Sequence, residues 1–245
     1  MVYFFRTLLE VEMVLLAIGA HPDDVEIGAF GTLARFVNRG DKVVICSVTN
    51  GNLGHASIEP NKLRVKRMAE GATAAKVIGA TFCTLDVNDT FLDSKDPATR
   101  LKMTELIRSV RPQIIITHDR DDYHDDHIET NRLVHHSLLQ AGLSHVATGP
   151  PPLEEPVIVY YMDKVGGGAF LPTDYVDITE TFESKERSLA CHASQCEYLM
   201  EHDGLNLLYA VQVLAEYRGL QCGVRYAEAF KLSDRHPNLS MRVLP

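Results

Sequence analysis

The residues of this sequence best suited to chemistry fall in two short segments rich in histidine and aspartate. The first is the tetrapeptide 21–24, which reads HPDD. The second is the decapeptide 118–127, which reads HDRDDYHDDH and contains three histidines and five aspartates. A soluble loop needs charge, but it does not need imidazole groups at three positions. Imidazole and carboxylate groups together favour a divalent transition metal ion, whereas Ca²⁺ prefers oxygen ligands alone. The second segment in particular predicts a metal site.

Each segment, taken alone, also has an ordinary structural interpretation. Asp24 is suited to cap a following helix, and the second segment is also typical of a plain acidic loop. The two segments support each other because each follows an apolar run that predicts a buried strand, at 14–20 and at 113–117. In open α/β sheets, the carboxyl ends of neighbouring strands meet at one crevice. If these strands are neighbours, His21, Asp24 and His127 converge, and three ligands leave one position open for water.

Strands and helices alternate along the chain. Continuous apolar runs predict buried strands, and longer segments with helical spacing predict the helices between them. This alternation indicates right-handed βαβ units and an α/β fold with a parallel sheet. Strands are predicted at 14–20, 42–48, 81–86, 113–117, 157–161 and 175–178, with 227–232 as a last short strand or loop. Helices are predicted at 25–38, 60–78, 98–110, 127–139 and 180–202.

The composition excludes several classes of function. The 245 residues carry a formal net charge of −9 and no run of lysine and arginine, which argues against nucleic acid or an anionic membrane as the main partner. The five cysteines form no CxxC pair, which is typical of thiols in a reducing cytoplasm, where we expect this protein. The apolar run 13–20 is too short to span a bilayer. We expect one domain over residues 13–245, preceded by an extension of residues 1–12.

Six segments carry a resemblance to one known enzyme family. They are AIGAHPDDVEIG (17–28), RMAE (67–70), RPQIIITH (111–118), DYHDDH (122–127), KERSLACHASQ (185–195) and RYAEAF (225–230). They resemble the PIG-L/LmbE-type N-acetylglucosamine de-N-acetylases. The resemblance implies a Rossmann-like three-layer sandwich, with a mostly parallel twisted sheet and helices on both faces. It also implies metal-dependent hydrolysis of the acetamide of an N-acetylglucosaminyl conjugate. The implied cofactor is Zn²⁺, with Fe²⁺ or another divalent transition metal as the alternative.

The same resemblance implies roles for individual residues. At the reacting centre these are the metal ligands His21, Asp24 and His127, the general base Asp23, and His124 with its orienting partner Asp126 at the tetrahedral intermediate. On the substrate side, Arg67 corresponds to the arginine near the substrate and is spaced to pair with Glu70. Three further substrate-binding candidates are Asp89 for sugar hydroxyls, Tyr123 for the oxyanion and His192 for the mouth of the site. Their structural alternatives are a turn aspartate, a tyrosine that packs the loop and a core histidine.

Some positions depart from the family pattern and bear on the substrate. The tripeptide 50–52 reads NGN where Arg-Gly-Glu is frequent, and Asp125 stands where proline is common. The segments VIVYYM (157–162) and YVDIT (175–179) resemble the branch that acts on bacillithiol precursors, although His192 replaces a tyrosine common there. The expected substrate is therefore an acetylated amino sugar, with N-acetylglucosaminyl malate as one candidate. Relatives of this kind lead us to expect a homo-oligomer.

Two other interpretations of the same residues stay open at this point. Two histidines and one carboxylate also form the metal site of non-haem Fe(II) oxygenases. The alternating α/β pattern and the aspartate beside the ligands count against that interpretation. A non-catalytic metal-binding or sugar-binding module would explain the ligands, but it would not explain Asp23 and His124 together. Release of acetate that is lost with a chelator separates a hydrolase from both.

Overall fold

A seven-stranded sheet forms the centre of the computed structural model, which describes residues 12–235. The strands are β1 (Val14–Gly19), β2 (Lys42–Thr49), β3 (Thr81–Val87), β4 (Ile114–Thr117), β5 (Ile158–Met162), β6 (Asp174–Asp177) and β7 (Ala227–Leu232). Their order across the sheet is β3-β2-β1-β4-β5-β7-β6. β7 is antiparallel to β5 and β6, and the other pairings are parallel. The predicted, mostly parallel sheet is confirmed.

Helices cover both faces of this sheet. They are α1 (Asp24–Gly28), α2 (Phe30–Arg39), α3 (Pro60–Lys76), α4 (Pro97–Val110), α5 (Asp125–Ala141), α6 (Phe182–Ala190), α7 (Ala193–Asp203) and α8 (Leu207–Cys222). Successive residues of β1 point to opposite faces, as in any strand. Leu15 and Ala17 belong to the apolar layer beneath α2, whereas Leu16 and Ile18 belong to the layer beneath α4 and α5. The molecule is therefore the three-layer sandwich that we expected.

The neighbour of β1 decides where a crevice opens. β1 pairs in parallel with β4, and Leu15 and Ala17 lie opposite Ile114 and Ile116. From β1 the chain runs to β2 and β3 on one side and later to β4 on the other, so the strand order reverses between β1 and β4. The two chemical segments leave the sheet at the carboxyl ends of these two strands. The assumption on which their convergence depended is confirmed.

Two helices that we predicted as continuous are divided, and one helix was not predicted. The segment 25–38 forms α1 and α2, and the segment 180–202 forms α6 and α7. The unpredicted helix is α8. Its apolar residues surround the helix instead of forming one stripe, and Tyr209, Val213 and Leu220 are exposed. Helical periodicity was therefore not visible in its sequence.

A buried ion pair explains why the first of these helices is divided. Glu228 accepts hydrogen bonds from the backbone N–H groups of Gly31 and Thr32, at 3.0 and 2.7 Å, and so satisfies the start of α2. Lys185 donates to Glu228 at 2.5 Å and to the backbone oxygen of Ile27, in α1, at 2.6 Å. Free N–H and C=O groups at helix ends need such partners when they are buried. Side chains from α6 and β7 thus stabilise the break between α1 and α2.

Two further expectations concern the chain as a whole. The expected N-terminal extension, residues 1–12, falls almost entirely outside the described residues, so it stays a prediction, as does the single domain over 13–245. Within residues 12–235, no helix has both the length and the apolar character that crossing a membrane requires.

Candidate metal and active site

A cavity of about 430 Å³ opens at the carboxyl ends of β1 and β4. Its size is that of a small-molecule site. Its polar side is lined by residues from the turn after β1, the loop after β3 and the segment between β4 and α5: His21, Asp23, Asp24, Asp89, His118, Tyr123, His124 and His127. Segments about a hundred residues apart in the chain therefore meet at one place, as the sequence analysis required.

The turn that follows β1 has an unusual backbone. Asp23 has φ 121°, a backbone conformation that residues other than glycine rarely adopt. The backbone N–H of His21 donates to Asp24 Oδ2 at 2.6 Å and closes the turn. Gly19 leaves room for it, because a Cβ there would lie 2.9 Å from the Cβ of Asp24. Asp24 is the first residue of α1 and not its cap, so the simple capping interpretation does not describe this turn.

The partners of His21 indicate which of its ring nitrogens carries the proton. Nε2 lies 3.1 Å from Asp89 Oδ1 and 3.2 Å from Asp126 Oδ2. A carboxylate accepts a hydrogen bond, so Nε2 is the protonated nitrogen and the lone pair lies on Nδ1. Nδ1 faces Asp24 Oδ2 at 3.4 Å. Burial lowers the pKa of His21, but these three aspartates together raise it well above its ordinary value.

His127 approaches Asp24 from the other side in the same manner. Its Nδ1 lies 3.0 Å from Asp122 Oδ1, which holds the proton on Nδ1. Its Nε2 then faces Asp24 Oδ1 at 3.3 Å and is the nitrogen left for a metal ion. Burial lowers the pKa of His127, yet the charge of Asp24 and the hydrogen bond to Asp122 raise it to about 9. The sequence assigned no role to Asp122, which is one of several aspartates in the same loop.

Nδ1 of His21 and Nε2 of His127 both face Asp24, and each of these contacts needs a proton or a metal ion between the nitrogen and the carboxylate. The raised pKa values of His21 and His127 report this demand for positive charge. A divalent cation would supply this charge. Each imidazole turns one nitrogen toward Asp24, and its other nitrogen donates a hydrogen bond to a carboxylate behind the ring. The donor set of His21, Asp24 and His127 therefore fits a transition metal ion.

Two other histidines lie close enough to belong to alternative ligand groups. Among the described residues, the groups that could hold an ion are His21, His124 and His127; Asp24, His118 and His127; and His21, Asp89 and Asp126. His118 Nε2 lies 2.9 Å from the backbone N of Ala20 and 3.1 Å from Asp24 Oδ2, so this nitrogen already contacts two groups of the turn after β1. Burial, with the nearby charge of His127, lowers the pKa of His118 to about 4. The His118 ring stacks on His127 with centroids 3.9 Å apart, a supporting position that the sequence analysis left without a role.

His124 is suited to donate a hydrogen bond and not to bind a metal. It is the N-cap of α5, and its Nδ1 accepts the backbone N–H of Asp126 at 3.2 Å. The neutral ring therefore carries its proton on Nε2. This contact also corrects an expectation. The carboxylate of Asp126 does not orient His124, because it contacts His21 and the backbone N–H of Thr90.

Asp23 is the carboxylate of the cavity whose pKa is suited to proton transfer. It is buried and forms an ion pair with Arg67, with Asp23 Oδ2 3.1 Å from Arg67 Nη2. Burial raises the pKa of Asp23 to about 6, and the charge of Arg67 opposes this shift. Asp23 is therefore a buried acid that gains and loses a proton more readily at neutral pH than an ordinary aspartate.

Arg67 supports the turn after β1 and does not pair with Glu70, the partner expected from helical spacing. Its guanidinium donates to the backbone oxygens of Pro22 and Gly51, at 2.7 and 3.2 Å, in addition to its contact with Asp23. Gly51 must be glycine, because a Cβ there would lie 2.4 Å from Arg67 Nη1. Glu70 instead accepts hydrogen bonds from the backbone and hydroxyl of Ser194, so helical spacing predicted a pair that is not formed.

The remaining substrate-binding candidates differ in where they lie. Asp89 lines the cavity with its carboxylate on His21, and Tyr123 stands at the rim, 59% exposed. His192 does not line the cavity. Its side chain is fully buried, with Nε2 3.5 Å from a carboxylate oxygen of Glu26, so the expectation that it forms the mouth is wrong. Its position behind Asp23 corresponds to the core histidine that was the structural alternative.

The segment 16–138 matches the sequence profile of one family, described as PIG-L, GlcNAc-PI de-N-acetylase. It is half of the chain and contains every site residue discussed above except His192. This chain belongs to the PIG-L family. It is therefore an amide hydrolase of the de-N-acetylase class that acts on N-acetylglucosamine-containing substrates.

Named relatives of this PIG-L family member agree with that class. Diacetylchitobiose deacetylase of Thermococcus kodakarensis is 29% identical, over 94% of this chain and 86% of its own. Mycothiol S-conjugate amidase of Streptomyces coelicolor is 26% identical, over 81% of this chain and 82% of its own. The structure of N,N′-diacetylchitobiose deacetylase from Pyrococcus horikoshii superposes with a TM-score of 0.78 at 25% identity, covering 89% of this chain and 83% of that chain.

These relatives correct one expectation. They are named for diacetylchitobiose and mycothiol and not for a bacillithiol precursor, so the assignment to the bacillithiol branch was wrong. The segments that suggested it, 157–162 and 175–179, contain strands β5 and β6. Val159, Tyr160 and Tyr161 of β5 are fully buried. The pattern of these three residues reflects packing in the sheet.

Proposed function

We propose that this PIG-L family chain removes the acetyl group from an N-acetylglucosaminyl conjugate, with a divalent ion, Zn²⁺ in the first instance, held by His21, Asp24 and His127. The observation that carries the proposal is the convergence of two imidazole nitrogens, His21 Nδ1 and His127 Nε2, on Asp24, with Asp23 beside it in a cavity. When bound, such an ion polarises the amide carbonyl and makes a water molecule more acidic. Fe²⁺ suits the same ligands, so metal analysis accompanies the assay below.

Asp23 is the proposed general base. It takes a proton from water while the water oxygen bonds to the acetamide carbon. Its proton then passes to the amine nitrogen as the carbon–nitrogen bond breaks, which gives acetate and a free amino sugar. Arg67 is a positioning residue in this scheme, because it holds the carboxylate of Asp23 and the backbone of Pro22 in place. This replaces its expected role as a direct substrate contact.

His124 is the proposed donor to the oxygen that becomes negative during attack. Its Nδ1 is occupied by a backbone N–H, so the Nε2–H is the group available to the substrate. Hydrogen bonds to a developing oxyanion are worth two to three orders of magnitude in kcat in other hydrolases. Tyr123, at the rim above His127, is placed to contact the sugar or the oxyanion, with ring centroids 5.6 Å apart. Asp89 supports His21 and keeps its other oxygen for a sugar hydroxyl.

The proposal is tested by acetate release from a panel of N-acetylglucosamine conjugates. We expect activity that a chelator removes and that Zn²⁺ or Fe²⁺ restores. Asp23→Asn should keep the metal content of the wild type and lose at least about a hundredfold in kcat. Asp125→Asn is the matched control, because Asp125 is exposed in the same acidic segment and contacts none of the proposed ligands. Near-normal turnover of Asp23→Asn would show that another group is the base.

The same assay separates the alternative interpretations. Oxygen consumption with a 2-oxo acid, without acetate release, would indicate an oxygenase. Metal binding with no turnover of any conjugate would indicate a binding module. The expected homo-oligomer stays a prediction, and light scattering of the purified protein tests it.

A further inference from the structure

The cavity has a second side whose chemistry differs from that of the proposed metal site. Besides the histidines and aspartates, seven apolar side chains line it: Ile27, Leu53, Met162, Val165, Leu199, Leu205 and Leu207. We call these seven residues the apolar wall. Leu53 and Leu205 are 43% and 37% exposed, so part of the wall is apolar surface that water covers in the free protein. Contiguous apolar surface inside a ligand cavity marks a place where an apolar group binds.

Most of the apolar wall is built on its own small core. Leu207 packs with Leu189 and Val211 in an apolar cluster that is separate from the two layers flanking the sheet. Ile27, Val165 and Leu199 pack against this cluster. The wall is therefore a supported surface and not a set of isolated side chains.

A tight turn brings two members of the wall together. Gly204 ends α7 with φ 67°, and the N–H groups of Gly204 and Leu205 both return to the carbonyl of Leu199. A helix end of this kind commonly places apolar side chains from either side of the turn against each other. Leu199 and Leu205 both line the cavity, and Leu207 follows at the start of α8.

Most of the apolar wall lies outside residues 16–138, the segment that matches the PIG-L profile. That segment contains the proposed catalytic and metal-binding residues. Val165, Leu199, Leu205 and Leu207 come after this segment. Side chains of the cavity that lie away from the reaction centre are the ones expected to contact the rest of the substrate.

The charges of the cavity argue against an acidic substituent. Besides its four histidines, the cavity is lined by two basic side chains, Arg67 and Lys164, and by four aspartates. Arg67 already donates to Asp23 and to two backbone oxygens. Lys164 donates to the backbone oxygen of Asp121 at the rim. A dicarboxylate such as malate would meet no unoccupied guanidinium among these lining residues.

We infer that the apolar wall binds an apolar aglycone, so that the substrate is an N-acetylglucosaminide whose other end is an aryl or alkyl group and not a dicarboxylate. The inference rests on the proposed deacetylation, because it takes the acetamide to lie beside Asp23 while the aglycone lies on the wall. A ring or alkyl chain that covers Leu53 and Leu205 removes their exposed surface from water.

The test compares N-acetylglucosaminides that share one acetamide and differ in aglycone: methyl, butyl, phenyl and malate. We expect kcat/KM for the phenyl and butyl compounds to exceed that for methyl by about tenfold or more, and the malate conjugate to be the poorest substrate. The butyl and phenyl arms distinguish an alkyl from an aryl preference. Equal values for methyl and phenyl, or a preference for malate, would overturn the inference while leaving the deacetylase activity established.

Variants connect this preference to the apolar wall. Leu205→Ser should reduce the phenyl-to-methyl ratio of kcat/KM at least severalfold. The conservative variant Leu205→Met should keep the ratio of the wild type. Leu220→Ser is the matched control, because Leu220 is 80% exposed on α8 and does not line the cavity. An unchanged ratio in Leu205→Ser would also overturn the inference.

A binding measurement keeps the inference testable if the proposed function fails. Should no conjugate release acetate, the proposed deacetylation is wrong, and titration calorimetry then compares the phenyl and methyl N-acetylglucosaminides as ligands. Tighter binding of the phenyl compound, with a more negative heat capacity change that Leu205→Ser diminishes, supports the apolar wall as a binding surface. Equal affinities contradict it.

Discussion

Replacing Asp122 with alanine should weaken metal binding although none of the three proposed ligands is changed. Asp122 Oδ1 lies 3.0 Å from Nδ1 of His127, and both side chains are almost fully buried. Hydrogen bonding and charge from His127 outweigh burial and hold the pKa of Asp122 below its ordinary value, so the carboxylate is charged at neutral pH. It keeps the proton of His127 on Nδ1 and leaves Nε2 free to face Asp24.

The expected loss of metal affinity in Asp122→Ala can be given a size. Removal of the carboxylate that orients a ligating histidine weakens metal binding by about 10-fold to 100-fold, which corresponds to about 1.4–2.7 kcal/mol. Asp122→Asn should have a smaller effect, because its side-chain oxygen still accepts the hydrogen bond but carries no charge.

Competition with a chromophoric chelator at fixed pH measures this change. Asp121→Ala is the control, since Asp121 is the adjacent aspartate and its side chain is 72% exposed. Urea unfolding of each variant without metal separates loss of affinity from loss of stability, because Asp122 also accepts the backbone N–H of His124. If Asp122→Ala binds metal within about threefold of the wild type, His127 does not use Nε2 as a ligand, and the assignment of its tautomer is refuted.

Three further predictions concern other parts of the molecule. Lys185→Met should lower the free energy of unfolding by about 3–5 kcal/mol in urea titrations, because it leaves Glu228 buried without its cation, and Glu228→Gln added to it should recover part of the loss. Burial lowers the pKa of His135 to about 4, so the unfolded chain binds its proton first and stability falls as the pH drops from about 6.5 to about 4. His135→Gln should remove up to about 2–3 kcal/mol of that fall, measured as unfolding midpoints at both ends of the range. Asp126→Asn should weaken metal binding by about tenfold through His21, whereas a fall in kcat with unchanged affinity would show that Asp126 acts on another group.

The sequence was informative wherever a pattern of neighbouring residues decides the outcome. An apolar run such as Ile114–Thr117 is compatible with a buried strand and little else, and glycine after a helix, as at Gly40, predicted the end of α2. The parallel sheet, the two layers of helices and the convergence of segments 21–24 and 118–127 follow from the alternation of such elements. The family and the class of reaction could be recognised from the residues of these two segments together.

Pairing between distant side chains could not be predicted in this way. Spacing along α3 suggested that Arg67 contacts Glu70, but the fold offers Arg67 the turn after β1 and offers Glu70 the start of α7. The break between α1 and α2 depends on Lys185, which comes about 150 residues later in the chain. Local propensity describes a segment by itself and contains no information about which buried partner will satisfy its free polar groups.

The identity of the chemical groups was therefore determined by the sequence, and their protonation by the tertiary structure. That His21 and His127 lie near Asp24 follows from the motifs and the strand order. Which nitrogen of each ring is free depends on which carboxylate lies behind it, Asp126 for the one and Asp122 for the other. A hydrogen bond acts over about 3 Å, so it is decided only when the folded chain has brought donor and acceptor together.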